Sequence, residues 1–307
     1  MLSPYFVNVK ECLSQKARYY SNLILSVYYW MIFEHKKCFE TSAKLISEPT
    51  SNILLNDFIG GLSQHIISCI CLVRFNEALN GILYSQIYIQ RSYTKESSYL
   101  NYLHYAFCTS CRLTIYIYKG DLNNIKETLK YARKKLIPYI EFIPGESMYV
   151  LLSNMMNAYI SIGEFKKAED IWRGLFNSTQ AAKIRRDIYA DLYIVRIFFL
   201  MQVKEYSMIP PFVDAALGYF QGFKDARMKF DVEISICIFF SKINEFKDRL
   251  VINKVLSQCR KVIIDFIEKL GISLKFHEHY SRYLIWFEAI EIEIPFLEAA
   301  KNWYDKL

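Results

Sequence analysis

His104, Cys108 and Cys111 stand at i, i+4 and i+7 of one apolar stretch. On a helix that spacing puts all three on one face, and neutral imidazole and thiolate are both zinc ligands. The stretch supplies no fourth ligand and lacks the paired C-x-x-C of a structural zinc site. Buried thiols beside a partly buried histidine are therefore the expected state. Cys69 and Cys71, like His277 and His279, are two residues apart and point roughly 200° apart on a helix, so neither pair chelates. His35 stands near a turn and His65 in an apolar helix, without an Asp or Glu placed to make either a catalytic base. G-x-S-x-G, G-x-x-x-x-G-K-[ST], H-E-x-x-H and G-x-G-x-x-G are all missing from the sequence. No enzyme, cofactor or metal is expected.

The remaining chemistry is electrostatic. Lys126, Lys130, Arg133 and Lys134 recur at four- and three-residue steps, with Lys135 beside them, and Lys183, Arg185 and Arg186 form a second cluster. A nucleic-acid backbone laid along such a stripe releases counterions; a solvated helix face is the simpler reading. The net charge of +7 is spread over 38 basic and 31 acidic residues, a weak hint of an acidic partner.

The elements that carry these residues are helical. The 307 residues are 53% hydrophobic with only 10 Gly and 7 Pro, enough for a large core and too few breakers for a linker, so a single domain over residues 1–307 is expected. The start of the chain lacks a signal-peptide pattern. The longest uncharged block, Tyr19 to Phe33, is too short and polar to span a bilayer, and a cytoplasmic, non-membrane protein with reduced thiols is expected. Heavy use of Ile, Lys, Tyr and Asn is that of a low-GC bacterium.

The repeating unit is clearest from Met148 to Phe176. Leu152, Met155, Met156 and Tyr159 fall at helical spacing; Gly163 breaks the run, and Ala168, Trp172 and Leu175 resume it. Similar pairs are read along the chain. Pro4 to Phe33 is joined by a polar turn at Glu34–Lys37 to Cys38–Ile46. The next helix is capped by Ser51 or Asn52, carries Gly60-Gly61 as a kink, and is followed by a helix through Phe75, Ala78 and Ile82. A third pair turns at Lys119-Gly120-Asp121 and runs on to Pro138. A fifth turns at Glu205-Tyr206, a sixth at Asn244-Glu245-Phe246 with Gly271 closing it, and a last pair ends in a terminal cap carrying Ala299, Ala300 and Trp303. The strand-like LTIYIY segment is assigned to a helix.

Ala158, Tyr159, Gly163, Phe165, Ala168 and Trp172 match the tetratricopeptide pattern, with Leu175 in place of its last Ala, and the unit resembles that repeat. Turn-to-turn intervals of about 40 to 47 residues exceed the standard 34 and approach those of armadillo and HEAT repeats, the architectural alternative. The resemblance implies an all-α fold, a right-handed α-α superhelix of about seven hairpins, binding a protein or peptide as a scaffold or sensor. The long repeats are also similar to those of bacterial regulators that bind signalling peptides.

In that family the first helices of successive hairpins line a ligand groove. Carried over, the groove positions are Ser63, Ile67, Ser110, Thr114, Ile117, Ser153, Asn157, Ile160, Tyr193 and Ile197. Asn157 matches the amide that holds a ligand backbone. Ser110 and Ser153 replace the lysines of carboxylate-clamping members, which points to an internal peptide segment or a helix.

Overall fold

The computed structural model describes residues 14–47, 53–91, 98–177, 186–222, 230–243, 248–269 and 278–306. All regular structure among them is helical: α1 (Gln15–Met31), α2 (His35–Ser47), α3 (Leu55–Cys71), α4 (Phe75–Arg91), α5 (Ser98–Tyr118), α6 (Leu122–Lys135), α7 (Gly145–Ser161), α8 (Phe165–Phe176), α9 (Arg186–Gln202), α10 (Ile209–Gln221), α11 (Asp231–Ser241), α12 (Arg249–Lys269), α13 (Glu278–Ile292) and α14 (Phe296–Asp305). Short 3₁₀ turns at Ile137–Phe142 and Tyr206–Met208 follow α6 and precede α10. LTIYIY lies inside α5.

One turn joins most of the pairs. Phe33, Val73, Gly120, Gly163, Lys204 and Glu293 all have φ between 56° and 77°, just past the ends of α1, α3, α5, α7, α9 and α13. In each case the next residue's N–H reaches back to the carbonyl five residues earlier: Glu34 to Tyr29, Arg74 to Cys69, Asp121 to Tyr116, Glu164 to Tyr159, Glu205 to Leu200 and Ile294 to Ala289. These bonds satisfy carbonyls that a helix end otherwise leaves orphaned. The chain reverses in three residues, so consecutive helices pack against each other. Only two of the six left-handed positions are glycine.

Several boundaries differ from the sequence reading. The polar run Glu34–Lys37 is not the first turn; α2 begins at His35, because Phe33 takes the left-handed position. Leu54 rather than Ser51 or Asn52 occupies the N-cap of α3, and Gly60-Gly61 leaves α3 one continuous helix. Gly61 serves close approach: a Cβ there would lie 2.5 Å from the Tyr19 hydroxyl and 3.2 Å from Leu45, and Tyr19 donates to the Asp57 carbonyl at 3.0 Å. Pro210 and Pro211 sit in the first turn of α10, where no N–H is needed. Ser51, Asn52, Lys183, Arg185, Asn244–Phe246, Gly271 and His277 lie outside the described residues.

Packing follows two rules and one exception. Along most of the chain each helix contacts its successor, and α1, α3, α5, α7, α9 and α11 each contact the next of that series. The exception is the last pair. Rather than capping the end, α13 packs on α9 and α12, and α14 returns to α5 and α7. Tyr304 stacks on Tyr118 at 4.3 Å and meets Phe75 at 5.6 Å, while Lys301 lies over the glycine of the α5–α6 turn.

At the heart of this arrangement α9 is buried from Tyr189 to Met201 without a break. A helix apolar on all sides must be enclosed, and α7, α8, α10, α11 and α13 enclose it.

Glycine content at the turns makes a direct test of their strain. Lys204→Gly should raise stability by about 0.5–1 kcal/mol and Gly163→Ala should lower it by about 1 kcal/mol, read by urea denaturation. Gly120→Ala should cost more than Gly163→Ala. Its Cβ would fall 2.8 Å from Cβ of Lys301, whereas Gly163 has open space around it.

Candidate binding surface

The ten groove positions divide by depth. Ser63 and Ile67 on α3 and Thr114 on α5 are half-buried. Ser110, Ile117, Ser153, Asn157, Ile160, Tyr193 and Ile197 are buried. Their cover is the protein itself. Thr114, Ile117 and Asn157 line a crevice of about 20 Å³ whose other wall is Arg282, Trp286 and Phe296 of the C-terminal pair. Tyr193 is packed among Phe176, Tyr189, Tyr219 and Phe220, and Ile197 is wholly enclosed in α9. The groove expected to be open along α5, α7 and α9 is thus filled where α13 and α14 lie. Two of its polar groups are left unmatched: Nδ2 of Asn157 and Oγ of Ser110 are buried without a hydrogen-bond partner. Neither a crevice this small nor a covered amide admits a ligand while the pair is in place.

Ionic contacts hold that cover down. Arg282 of α13 meets Asp191 of α9 at 2.6 Å, and the Tyr283 hydroxyl donates to the same oxygen at 3.1 Å. Burial and the nearby carboxylate push the Tyr283 phenol well above its usual range, so it stays a donor. Arg196, also on α9, pairs with Glu169 of α8, its guanidinium within 4.9 Å of the Trp172 and Phe199 ring centres. No Asp-to-Arg pairing of this kind was foreseen from sequence; an Asp and an Arg five residues apart in an apolar helix were its only signal.

The cysteine and histidine candidates are brought together without becoming reactive. His104 Nε2 lies 2.9 Å from Ser85 Oγ and 3.2 Å from Cys108 Sγ. Burial lowers His104 to about 4 and raises Cys108 to about 12, so a neutral imidazole faces a neutral thiol. A nucleophile or metal ligand needs the thiolate. His65 is likewise lowered by burial, bonded to Ser42 and Cys69, and packed against the Phe39 ring, tilted, at 5.0 Å. Among the described residues no group of three His, Cys, Asp or Glu side chains could hold a metal ion, the seven described cysteines are buried and form no disulfide with one another, and no helix is long and apolar enough to cross a membrane.

Among the described residues two larger concavities are open. The basic stripe of α6 forms one wall of a groove of about 560 Å³, with Lys126, Lys130, Arg133 and Lys134 facing Lys167 of α8 and Tyr159 at the base. Glu127 pairs with Lys130 and Glu164 with Lys167, which leaves the groove net positive. Lys135 and Arg186 do not line it. The second, of about 750 Å³, lies where the turns at Gly120, Gly163, Lys204 and Glu293 converge, and includes Ile160 from the expected groove.

The chain matches no protein-family model and no curated protein.

Two measurements check this electrostatic account. Asp191→Ala should cost about 3 kcal/mol in urea denaturation, because it removes the carboxylate that meets the Arg282 guanidinium and the Tyr283 hydroxyl, and hydrogen exchange should rise first in α13. His104 has a folded pKa below its unfolded value, so the unfolded state takes up the proton first and stability falls as pH drops from about 6.5 towards 4. His104→Gln should flatten that part of the pH–stability curve, with up to about 3 kcal/mol at stake.

Proposed function

We propose that the chain is a non-catalytic helical-repeat scaffold or sensor that binds a protein or peptide partner in the bacterial cytoplasm. In this reading its hairpins are tetratricopeptide-like units wound as an α-α superhelix. The observation that carries it is the turn: among the described residues one left-handed, back-bonded reversal recurs six times, and the odd-numbered helices from α1 to α11 pack in series. Repetition of a unit that cannot bury its own apolar face is the physical signature of a stack. The neutral, buried state of His104 and Cys108 also fits a role without chemistry.

A second reading has its own observation. Lys167 stands across the groove from the α6 stripe, so five cations and two acids share one trough, a shape that takes a phosphate backbone. Whole-chain capture of partners, with and without nuclease, separates the two. Partners that survive nuclease and 0.5 M salt support the peptide or protein reading. Loss of all partners on nuclease treatment sinks it in favour of nucleic acid, and affinity for single-stranded RNA should then fall at least about tenfold from 50 to 200 mM salt.

If the covered groove serves a partner, Asn157→Ala should weaken that partner's binding while changing stability by less than about 1 kcal/mol, since the lost Nδ2 has no bond to forfeit. Unchanged affinity would remove Asn157 from the binding site.

A further inference from the structure

The cavity at the turn edge has the build of a ligand pocket. Its volume of about 750 Å³ lies in the range of such sites, and its floor is formed by the buried side chains of Ile160, Met201, Ile290 and Phe296. Gln202 sets an amide against this apolar floor, near the buried hydroxyl of Ser161. Gln202, the last residue of α9, donates from Nε2 to the Ile294 carbonyl at 3.5 Å, which fixes the amide's orientation, because the flipped amide would set two acceptors face to face. Its Oε1 is then buried with no hydrogen-bond partner. An acceptor withdrawn from water and left unmatched rewards any ligand that brings a donor.

The rim limits what that ligand is. Lys204 and Arg249 both turn to Glu293, the first at 3.8 Å. Lys301 and Glu298, one of each sign, complete the edge. The mouth therefore offers little to an ion. A purely alkyl ligand fills the floor but leaves the Gln202 oxygen unmet, whereas an apolar residue within a peptide brings a side chain for the floor and an amide N–H for the acceptor.

We propose that this cavity docks an extended, uncharged stretch of a partner polypeptide, with an apolar side chain on the Met201–Phe296 floor and a main-chain N–H donating to Oε1 of Gln202. The proposal rests on the reading of the chain as a binding module and places its anchor at the convergent turns rather than in the covered groove.

The test is a titration of the methyl-labelled whole chain with the capped tripeptide Ac-Ala-Leu-Ala-NH₂, followed by NMR. Saturable shifts are expected at the methyls of Met201, Ile160 and Ile290, and none with Ac-Ala-Asp-Ala-NH₂. Gln202→Leu should weaken binding about five- to tenfold, and a depsipeptide with oxygen in place of the leucine N–H should lose the same factor on the unaltered protein. Leu297→Trp, which enlarges a side chain of the cavity lining, should abolish the shifts. The proposal is overturned if these methyls stay still at millimolar peptide, or if neither Gln202→Leu nor the depsipeptide weakens binding. Saturable shifts confined to other methyls would also overturn it while leaving the binding-module reading intact. Absence of any saturable shift, together with nuclease-sensitive partners only, would remove both.

Discussion

Everything in this fold hangs on a reversal of direction made at the end of a helix. Past α1, α3, α5, α7, α9 and α13 one residue adopts a positive φ, and the following N–H closes on a carbonyl five residues back. That bond does two things at once: it pays off an orphaned helix terminus and it sends the chain back along the helix just completed. Where Phe33, Val73, Lys204 and Glu293 hold the position, the backbone bears about 1 kcal/mol of strain that glycine would avoid. Packing of the paired helices offsets it.

Such pairs cannot stand alone, and the way they lean on one another explains the buried charges. Because α9 is enclosed, Asp191 and Arg196 keep little contact with water and each meets a partner within the protein. Arg282 answers the first and Glu169 the second. The first of these contacts ties the C-terminal pair to the middle of the chain, more than ninety residues away in sequence. The returning pair covers part of α5, α7 and α9, and the basic trough beside α6 and the cavity at the convergent turns stay open.

These two concavities differ in what they reward. The trough carries unneutralised cations on exposed side chains, and its attraction is long-range and salt-sensitive. The turn-edge cavity is nearly charge-balanced and mostly apolar, and the unmatched acceptor in it is Oε1 of Gln202, so what it rewards is short-range: shape and a donated hydrogen bond.

The sequence by itself determined the helical class, the pairing of helices and most of their limits, because amphipathic spacing and helix-end signals are local. Gly120 and Gly163 were legible as turns for the same reason, and the low reactivity of His104 and Cys108 followed from their apolar surroundings. The turns at Phe33, Val73, Lys204 and Glu293 were less so, since a left-handed φ leaves no mark when glycine is absent and only the hydrogen-bonded reversal enforces it. Asn157, Ser110 and Tyr193 were assigned to a face by helical phase, yet phase says only which residues share a side. What covers that side was decided by tertiary structure: the stacking of Tyr304 on Tyr118 and the pairing of Arg282 with Asp191 join segments far apart in the chain, and no local pattern encodes which distant helix will return.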